Sequence, residues 1–251
     1  FRMKEHDVCV QGVTEALKAG YRAIDTAAIY QNEEAVGEAI KASGIAREEL
    51  FITTKVWNAD QGYDNTLKAF EQSLQKLGLD YVDLYLTHWP KPQLVDTYKA
   101  IERLYEEKLI RVPGVSNHHE HHLQQVFAEA NVLPMVNQIE CHPSLSQDAL
   151  RAFCAEHNIA VTAWAPLGTG IVFTHPVVKQ LAEKYSKTPA QIVLRWHLEI
   201  GNIVIPKSIT PERIVENLAI FDFTLQADEV AAISALNTFH RTGSDPDNFN
   251  F

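Results

Sequence analysis

Cysteine is scarce in this sequence, and its placement excludes a disulfide framework. The 251 residues contain three cysteines, Cys9, Cys141 and Cys154, which is an odd number with no C-x-x-C spacing. Disulfide-built secreted domains carry several closely spaced cysteines, whereas scattered thiols are typical of a reducing compartment. We therefore expect a cytoplasmic protein. Cys141, between Glu140 and His142, is read as a reactive thiol or a buried strand-end cysteine, and the second is expected.

Long apolar runs, an excess of basic residues and standard phosphate loops are also absent. No apolar stretch approaches the ~20 residues of a membrane span, and the first residues lack the hydrophobic segment of a signal peptide. The 22 basic residues face 32 acidic ones, a net charge of −10, so nucleic acid is not an expected partner. Neither G-x-G-x-x-G nor G-K-[ST] occurs. No initiator methionine stands at Phe1, and we expect the natural chain to start earlier.

The sequence does contain a regular alternation of short apolar runs and amphipathic helical patterns. Its 46% hydrophobic and 22% charged residues are ordinary for a globular protein. The apolar runs predict seven strands, at 21–25, 51–56, 81–86, 111–115, 135–139, 159–164 and 203–205. Helical periodicity predicts helices at 8–18, 65–77, 95–108, from about 119, and at 147–157, 176–185, 189–198, 211–218 and 227–236.

Apolar runs of this kind are typical of strands buried on both faces of a parallel sheet. Seven strand–helix units, with a clipped first strand near Phe1–Met3, predict an α/β fold of the (β/α)8 TIM-barrel type. No linker or change in composition marks a boundary, so we expect one domain over residues 1–251, acting as a monomer. A doubly wound sheet is the alternative, but it usually carries a Gly-rich turn after its first strand.

Polar side chains stand at six of the seven predicted strand ends. They are Asp25, Lys55, His88, Ser116-Asn117, Gln138 and Lys207-Ser208. Taken singly, a lysine near a strand end usually extends to the surface, and an aspartate there can cap a turn. In a TIM barrel, however, residues at these ends line the mouth of the active site. Together they predict one functional site.

An aspartate and a lysine at one mouth are expected to pair as ions. The Lys55 ammonium, held by Asp25, would favour the phenolate of the nearby Tyr30 and lower its pKa from a usual value of about 10. Such a phenol can give a proton to a carbonyl oxygen or take one from an alcohol. This set suits carbonyl–alcohol redox chemistry, for which a cofactor must supply the hydride.

Two further motifs have other interpretations. In H-H-E-H-H (His118–His122), His118 and His122 are spaced to share a helix face as zinc ligands do, but the run is not H-E-x-x-H, and we expect no metal ion. G-V-S-N-H fails the G-x-S-x-G pattern of hydrolases because residue 118 is histidine.

Several long motifs, in order along nearly the whole chain, resemble those of the aldo-keto reductase superfamily. They are G-Y-R-A-I-D-T-A-A-I-Y-x-N-E-E (Gly20–Glu34), L-D-Y-V-D-L-Y-L-T-H-W-P (Leu79–Pro90), G-V-S-N (Gly114–Asn117), N-Q-I-E-C-H-P (Asn137–Pro143) and I-P-K-S-x-x-x-x-R-I-x-E-N (Ile205–Asn217). Three departures are visible: the family's N-terminal hairpin is absent, loops after Pro90 and around Gly168–Ile171 are short, and His118 replaces a common phenylalanine.

The resemblance implies NADPH-dependent reduction of carbonyl compounds by a tetrad of Asp25, Tyr30, Lys55 and His88. Tyr30 would be the general acid, and His88 would orient the substrate carbonyl. The resemblance implies cofactor contacts by Ser116, Asn117, Gln138, Trp164, Ala165, Leu167, Lys207, Ser208, Arg213, Glu216 and Asn217. Trp164 would stack on the nicotinamide, and Lys207, Ser208 and Arg213 would bind the 2′-phosphate.

A helix N-terminus with Lys207 and Arg213 also suits a phosphate on physical grounds, although Arg213 could instead pair with Glu216. Trp57 and Trp89 are expected to line the substrate mouth, unless one of them is core. R-W-H-L (Arg195–Leu198) and the tail R-T-G-S-D-P-D-N-F (241–249) look like bacterial 2,5-diketo-D-gluconate reductases. The alternatives are a reductase of methylglyoxal, β-keto esters or other aldehydes, or a non-catalytic NADPH-binding subunit.

Overall fold

The structure, a computed structural model, describes all 251 residues. Seven strands form one sheet in chain order. They are β1 (Ala23–Asp25), β2 (Phe51–Val56), β3 (Val82–Thr87), β4 (Ile110–Ser116), β5 (Val136–Glu140), β6 (Ala160–Trp164) and β7 (Ile203–Val204). The pairs β1–β2, β2–β3, β3–β4 and β6–β7 are parallel. The predicted α/β class and its seven strands are confirmed. Residues 1–4 form no strand, so the eighth strand expected near Phe1–Met3 is not present.

Ten α-helices follow or separate the strands. They are α1 (His6–Ala19), α2 (Glu33–Ser43), α3 (Tyr63–Leu77), α4 (Leu94–Glu106), α5 (Glu120–Phe127), α6 (Asp148–Glu156), α7 (Pro176–Tyr185), α8 (Pro189–Glu199), α9 (Pro211–Leu218) and α10 (Ala227–Ser234). Helix α2 was not predicted, although Glu33 and Glu34 in its first turn and Gly44 (φ 67°) after its last are ordinary helix-end signals. The predicted helix end at Gly78 is present, in the left-handed region at φ 64°.

The chain divides into two compact units. The first comprises residues 1–137, 208–211 and 251, and the second comprises residues 138–207 and 212–250. The first unit contains an apolar cluster of Leu84, Leu86 and Val136. In the second unit, Trp196 and Ile192 of α8 pack with Val178 of α7 and Ile233 of α10. None of the ten helices combines the length and the hydrophobicity that a membrane span requires.

Asp83, a fully buried acid in β3, links β3 to the neighbouring strands β2 and β4 of the first unit. Its carboxylate accepts hydrogen bonds from Arg47 (2.7 Å), from Arg111 (2.9 Å) and from the backbone N–H of Ile52 (2.8 Å). Ile52 and Arg111 lie in β2 and β4, on either side of β3. A buried carboxylate with three charge-assisted or backbone donors is well satisfied. It therefore fixes the starts of β2, β3 and β4 against one another.

Candidate active site

Lys55 and Asp25 form a buried ion pair in the first unit. Lys55 lies near the end of β2 with a side chain that is 0% exposed, and its Nζ donates to Oδ1 of Asp25 at 2.6 Å and to the carbonyl oxygen of Thr26 at 2.9 Å. Burial lowers the pKa of Lys55, but the Asp25 charge and Tyr30 outweigh that effect and raise it. Lys55 therefore stays protonated at neutral pH. This pairing is the one predicted from the sequence.

Tyr30 closes a short 3-10 helix (Ala28–Tyr30) that follows β1. The Lys55 ammonium lies 5.1 Å from the centre of its ring. Burial raises the pKa of Tyr30, the Lys55 charge lowers it and the Asp25 charge raises it, so that the pKa is above its usual value. The predicted lowering is therefore wrong for the protein without ligands, because burial outweighs the ammonium. Tyr30 is a protonated phenol at neutral pH.

His88 follows β3 directly and lies beside Tyr30, with ring centroids 5.6 Å apart and planes at 78°. Burial, with the Lys55 charge, lowers the pKa of His88 well below 6.5, so the imidazole is neutral at physiological pH. Its Nδ1 atom is buried without a hydrogen-bond partner. Its backbone carbonyl accepts from Nδ2 of Asn117 at 2.9 Å. The structure thus brings Asp25, Tyr30, Lys55 and His88 together.

A cluster of aromatic rings borders His88 in the first unit. Trp57 meets the His88 ring edge-on, with centroids 5.3 Å apart, and stacks on Phe251 at 5.8 Å with planes 7° apart. Trp89 packs edge-on against Phe251 and is only 8% exposed. Trp57 therefore borders the candidate site, whereas Trp89 is largely part of the core. The sequence left open that one of the two tryptophans would be core. Phe251 was not predicted, since no local pattern brings so distant a residue to Trp57.

The predicted cofactor residues of the first unit are Ser116, Asn117 and Ser208. Ser116 ends β4 and is 1% exposed, and its Oγ accepts from Nδ2 of Asn117 at 3.2 Å. Asn117 adopts a left-handed conformation (φ 63°), which asparagine tolerates better than most residues. Ser208 hydrogen-bonds within its own turn, where its Oγ accepts from the backbone N–H of Thr210 at 3.0 Å.

The predicted cofactor residues of the second unit are Gln138, Trp164, Ala165, Leu167, Lys207, Arg213, Glu216 and Asn217. Gln138 is buried in β5, and Trp164 ends β6 with its ring partly exposed. Lys207 and Arg213 are exposed and form no ion pair. Glu216 accepts from the hydroxyl of Thr188 at 2.8 Å, and the alternative Arg213–Glu216 pair is not formed. Two unpaired cations fit an anionic ligand group such as a phosphate.

His118 lies outside the helix that contains His122, although the two rings remain neighbours with centroids 5.8 Å apart. Helix α5 begins at Glu120, so His118 lies outside it and cannot share a helix face with His122. His118 is fully buried, with Nδ1 2.9 Å from the carbonyl oxygen of Ser116. Cys141 is buried as expected, and burial raises the pKa of its thiol to about 12, which makes it a poor nucleophile.

The candidate site consists of a proton donor, Tyr30, beside the Lys55–Asp25 ion pair and the neutral imidazole of His88. This arrangement suits proton transfer at a carbonyl oxygen. The sequence matches the "Aldo/keto reductase family" over residues 4–238, and the chain belongs to that family. The resemblance found in the motifs is confirmed. The family, together with the named reductases and the NADPH complex among the relatives below, supports an NADPH-dependent oxidoreductase that acts on carbonyl compounds.

Individual relatives are similar over nearly the whole chain. The glyoxal reductase of Bacillus subtilis (strain 168) is 51% identical over 252 residues, covering 100% of this chain and 91% of its own. The methylglyoxal reductase DkgA of Yersinia pestis is 54% identical, covering 94% and 87%. Among solved structures, a mutant of Gox0644 in complex with NADPH is 45% identical with a TM-score of 0.94, covering 98% of this chain and 91% of its own.

Proposed function

We propose that this protein reduces small polar aldehydes and ketones to alcohols with NADPH, with Tyr30 as the general acid. The observation that carries the proposal is the buried Lys55–Asp25 pair, whose ammonium lies 5.1 Å from the Tyr30 ring. Burying a lysine ammonium is costly unless the ammonium is paired with an opposite charge. Here the ammonium is paired with Asp25 and faces the one phenol of the site.

Each residue has a separate role in the proposed reaction. NADPH, when bound, supplies a hydride to the carbonyl carbon. Tyr30 gives its phenolic proton to the carbonyl oxygen, and the phenolate that forms is stabilised by Lys55, which Asp25 holds in place. His88 donates a hydrogen bond to the same oxygen. The His88 imidazole is neutral, so it carries one N–H that can serve as this donor.

The proposed cofactor contacts follow the family resemblance. Ser116 and Asn117 would hold the nicotinamide carboxamide, with Gln138 as a further predicted carboxamide contact. Trp164 would stack on the nicotinamide ring. Lys207 and Arg213 would bind the 2′-phosphate, which their exposure and lack of ion pairs support. Ala165, Leu167, Ser208, Glu216 and Asn217 remain predicted contacts.

We infer that 2,5-diketo-D-gluconate, reduced to 2-keto-L-gulonate, is the leading substrate candidate. Methylglyoxal and glyoxal are the second candidates, because relatives 54% and 51% identical are named reductases of these compounds. The aromatic wall at Trp57 accepts many small carbonyl compounds. The tetrad needs no residue from a second copy of the chain, and we propose a monomer as the active form.

The test is the rate of NADPH oxidation with 2,5-diketo-D-gluconate, methylglyoxal, a β-keto ester, benzaldehyde and a steroid ketone. The proposal predicts the highest kcat/KM with one of the small polar carbonyls. A higher value with the steroid ketone would contradict the substrate class but not the reductase activity. No oxidation of bound NADPH in a single turnover with any of them would instead indicate a non-catalytic NADPH-binding protein.

A further inference from the structure

Glu140, at the end of β5, is a buried acid that binds a segment about a hundred positions away in the sequence. Its Oε1 accepts from the backbone N–H of Thr242 at 2.5 Å and from the Thr242 hydroxyl at 2.6 Å. The N–H of Gly243 lies 3.2 and 3.3 Å from the two carboxylate oxygens. The Glu140 side chain is 1% exposed. So many donors on one buried carboxylate make a strong anchor for this segment.

The anchored segment, residues 238–243, is here called the C-terminal strap. Its first half is held by Ser144, whose carbonyl oxygen accepts from the N–H groups of Thr238 and His240 at 3.2 and 3.0 Å. Its last residue, Gly243, lies against the indole of Trp164. A Cβ at Gly243 would come within 2.5 Å of Cη2 and 3.1 Å of Cζ3 of that ring. The strap backbone at Gly243 therefore packs closely against the edge of the Trp164 indole.

Glu140 also reaches the loop that follows Trp164. His142 Nε2 lies 3.2 Å from Oε1 of Glu140. The His142 ring packs on Gly168, where a Cβ would come within 2.8 Å of its Cγ and where φ is 50°. One carboxylate thus connects two contacts, the strap against the Trp164 ring and His142 against the loop four residues later.

The chemistry of these contacts needs a carboxylate. Burial raises the pKa of Glu140, but hydrogen bonds from His142 and Thr242 outweigh it and hold the pKa below its usual value. Every group facing the side chain is a donor, so a glutamine at this position would turn its NH2 group towards donors and lose part of the anchor.

We propose that Glu140 is a positioning residue, which holds the C-terminal strap against Trp164 and so fixes the indole plane for the nicotinamide. The inference rests on the proposed function, in which Trp164 stacks on that ring. Stacking depends on the relative orientation of the two rings. A ring fixed before the cofactor arrives does not have to be ordered on binding, which strengthens binding.

The test compares Glu140→Gln with Glu229→Gln, another largely buried acid of the second unit, which bonds Lys184 and Tyr185 instead of the strap. Dissociation constants for NADPH and NADH come from fluorescence titration. We expect Glu140→Gln to raise both roughly fivefold, the loss typical of one aromatic stacking contact. Their ratio should not change, since Lys207 and Arg213 are untouched. In the cofactor-free protein, hydrogen exchange at Thr242 and Gly243 should become faster. Glu229→Gln should change neither the constants nor this exchange.

Trp164→Ala tests whether Glu140 acts through the indole. If it does, the double variant Glu140→Gln/Trp164→Ala should have the same dissociation constants as Trp164→Ala alone. Equal effects of Glu140→Gln in both backgrounds, or unchanged constants in Glu140→Gln, would overturn the inference. Wild-type NADPH oxidation with methylglyoxal is measured alongside. If the wild type is active and either of these two results is found, only this inference is contradicted. If the wild type reduces no methylglyoxal, the proposed function is contradicted instead.

Discussion

The ammonium of Lys55 lies 5.1 Å from the centre of the Tyr30 ring, yet the pKa of Tyr30 is above its usual value. Burial of the phenol outweighs the attraction between the ammonium and a phenolate. Lys55 therefore does not ionise Tyr30 in the resting protein. Its charge becomes useful when the phenol loses its proton, because it stabilises the phenolate formed at that moment.

The pH dependence of reduction should reflect these pKa directions. Tyr30 keeps its proton because its pKa is raised, and His88 stays neutral because its pKa is lowered. We expect kcat/KM for carbonyl reduction to show no inflection from either group between about pH 7 and 9. The measurement is a pH–rate profile at saturating NADPH. An inflection near pH 8 that disappears in Tyr30→Phe would show that the phenol ionises in the working range.

Arg213→Ala should weaken NADPH binding selectively. A charge-assisted hydrogen bond to phosphate is worth about 1.5–3 kcal/mol, so the NADPH dissociation constant should rise at least about tenfold while that of NADH barely changes. Arg103→Ala is the matched control, since Arg103 in the last turn of α4 forms an exposed pair with Glu107, just after the helix. Fluorescence titration measures both cofactors. Equal weakening of NADPH and NADH would point to a different phosphate site.

His118→Phe should make folding stability less sensitive to acid. Burial lowers the pKa of His118 to about 3, whereas an unfolded histidine has a pKa near 6.5. The unfolded chain therefore binds a proton that the folded protein excludes, and stability falls as pH drops below 6.5. Between pH 6.5 and 5 this residue should cost about 2 kcal/mol.

Urea unfolding of the cofactor-free protein at pH 7.5 and 5 measures that change. His118→Phe should lose about 2 kcal/mol less than the wild type between the two pH values. His197, whose pKa burial also lowers to about 3, remains in both proteins, so some acid sensitivity should persist. An identical loss in the wild type and the variant would contradict the neutral, buried state of His118.

Asp83→Ala should destabilise the first unit. It leaves Arg47, Arg111 and the N–H of Ile52 without their shared acceptor. Breaking a buried pair is strongly destabilising, but both arginines keep some contact with water, so we expect a loss of about 2 kcal/mol. Glu107→Ala, which removes an exposed pair, should change stability by less than about 1 kcal/mol. Urea midpoints compare the two, and equal effects would refute the role of Asp83.

Much of the fold follows from local sequence patterns. Strand β2 and helices α7 and α9 have the predicted bounds, because their apolar runs and helix-starting prolines are local signals. The Lys55–Asp25 pair was also predictable, since parallel strands bring their ends to the same edge of a sheet. The eighth strand was inferred only because a (β/α)8 barrel has eight strands, and no residue pattern supported it.

Other features depend on contacts between distant residues and on burial. The stacking of Phe251 on Trp57 and the bonds from Thr242 to Glu140 join residues far apart in sequence, with no spacing that marks them. The direction of the Tyr30 pKa depends on how deeply the phenol is buried, which the sequence does not state. Charge neighbours could be predicted, but the cost of desolvation could not.

The measurement that tests the central claim most directly is single-turnover oxidation of bound NADPH by methylglyoxal in wild type and Tyr30→Phe. Tyr30→Phe keeps the ring and removes only the proposed proton donor. General acid catalysis contributes about 10²–10⁴-fold, so the rate should fall by that factor while the NADPH dissociation constant stays unchanged. A Tyr30→Phe protein that binds NADPH normally and oxidises it at close to the wild-type rate would contradict the account.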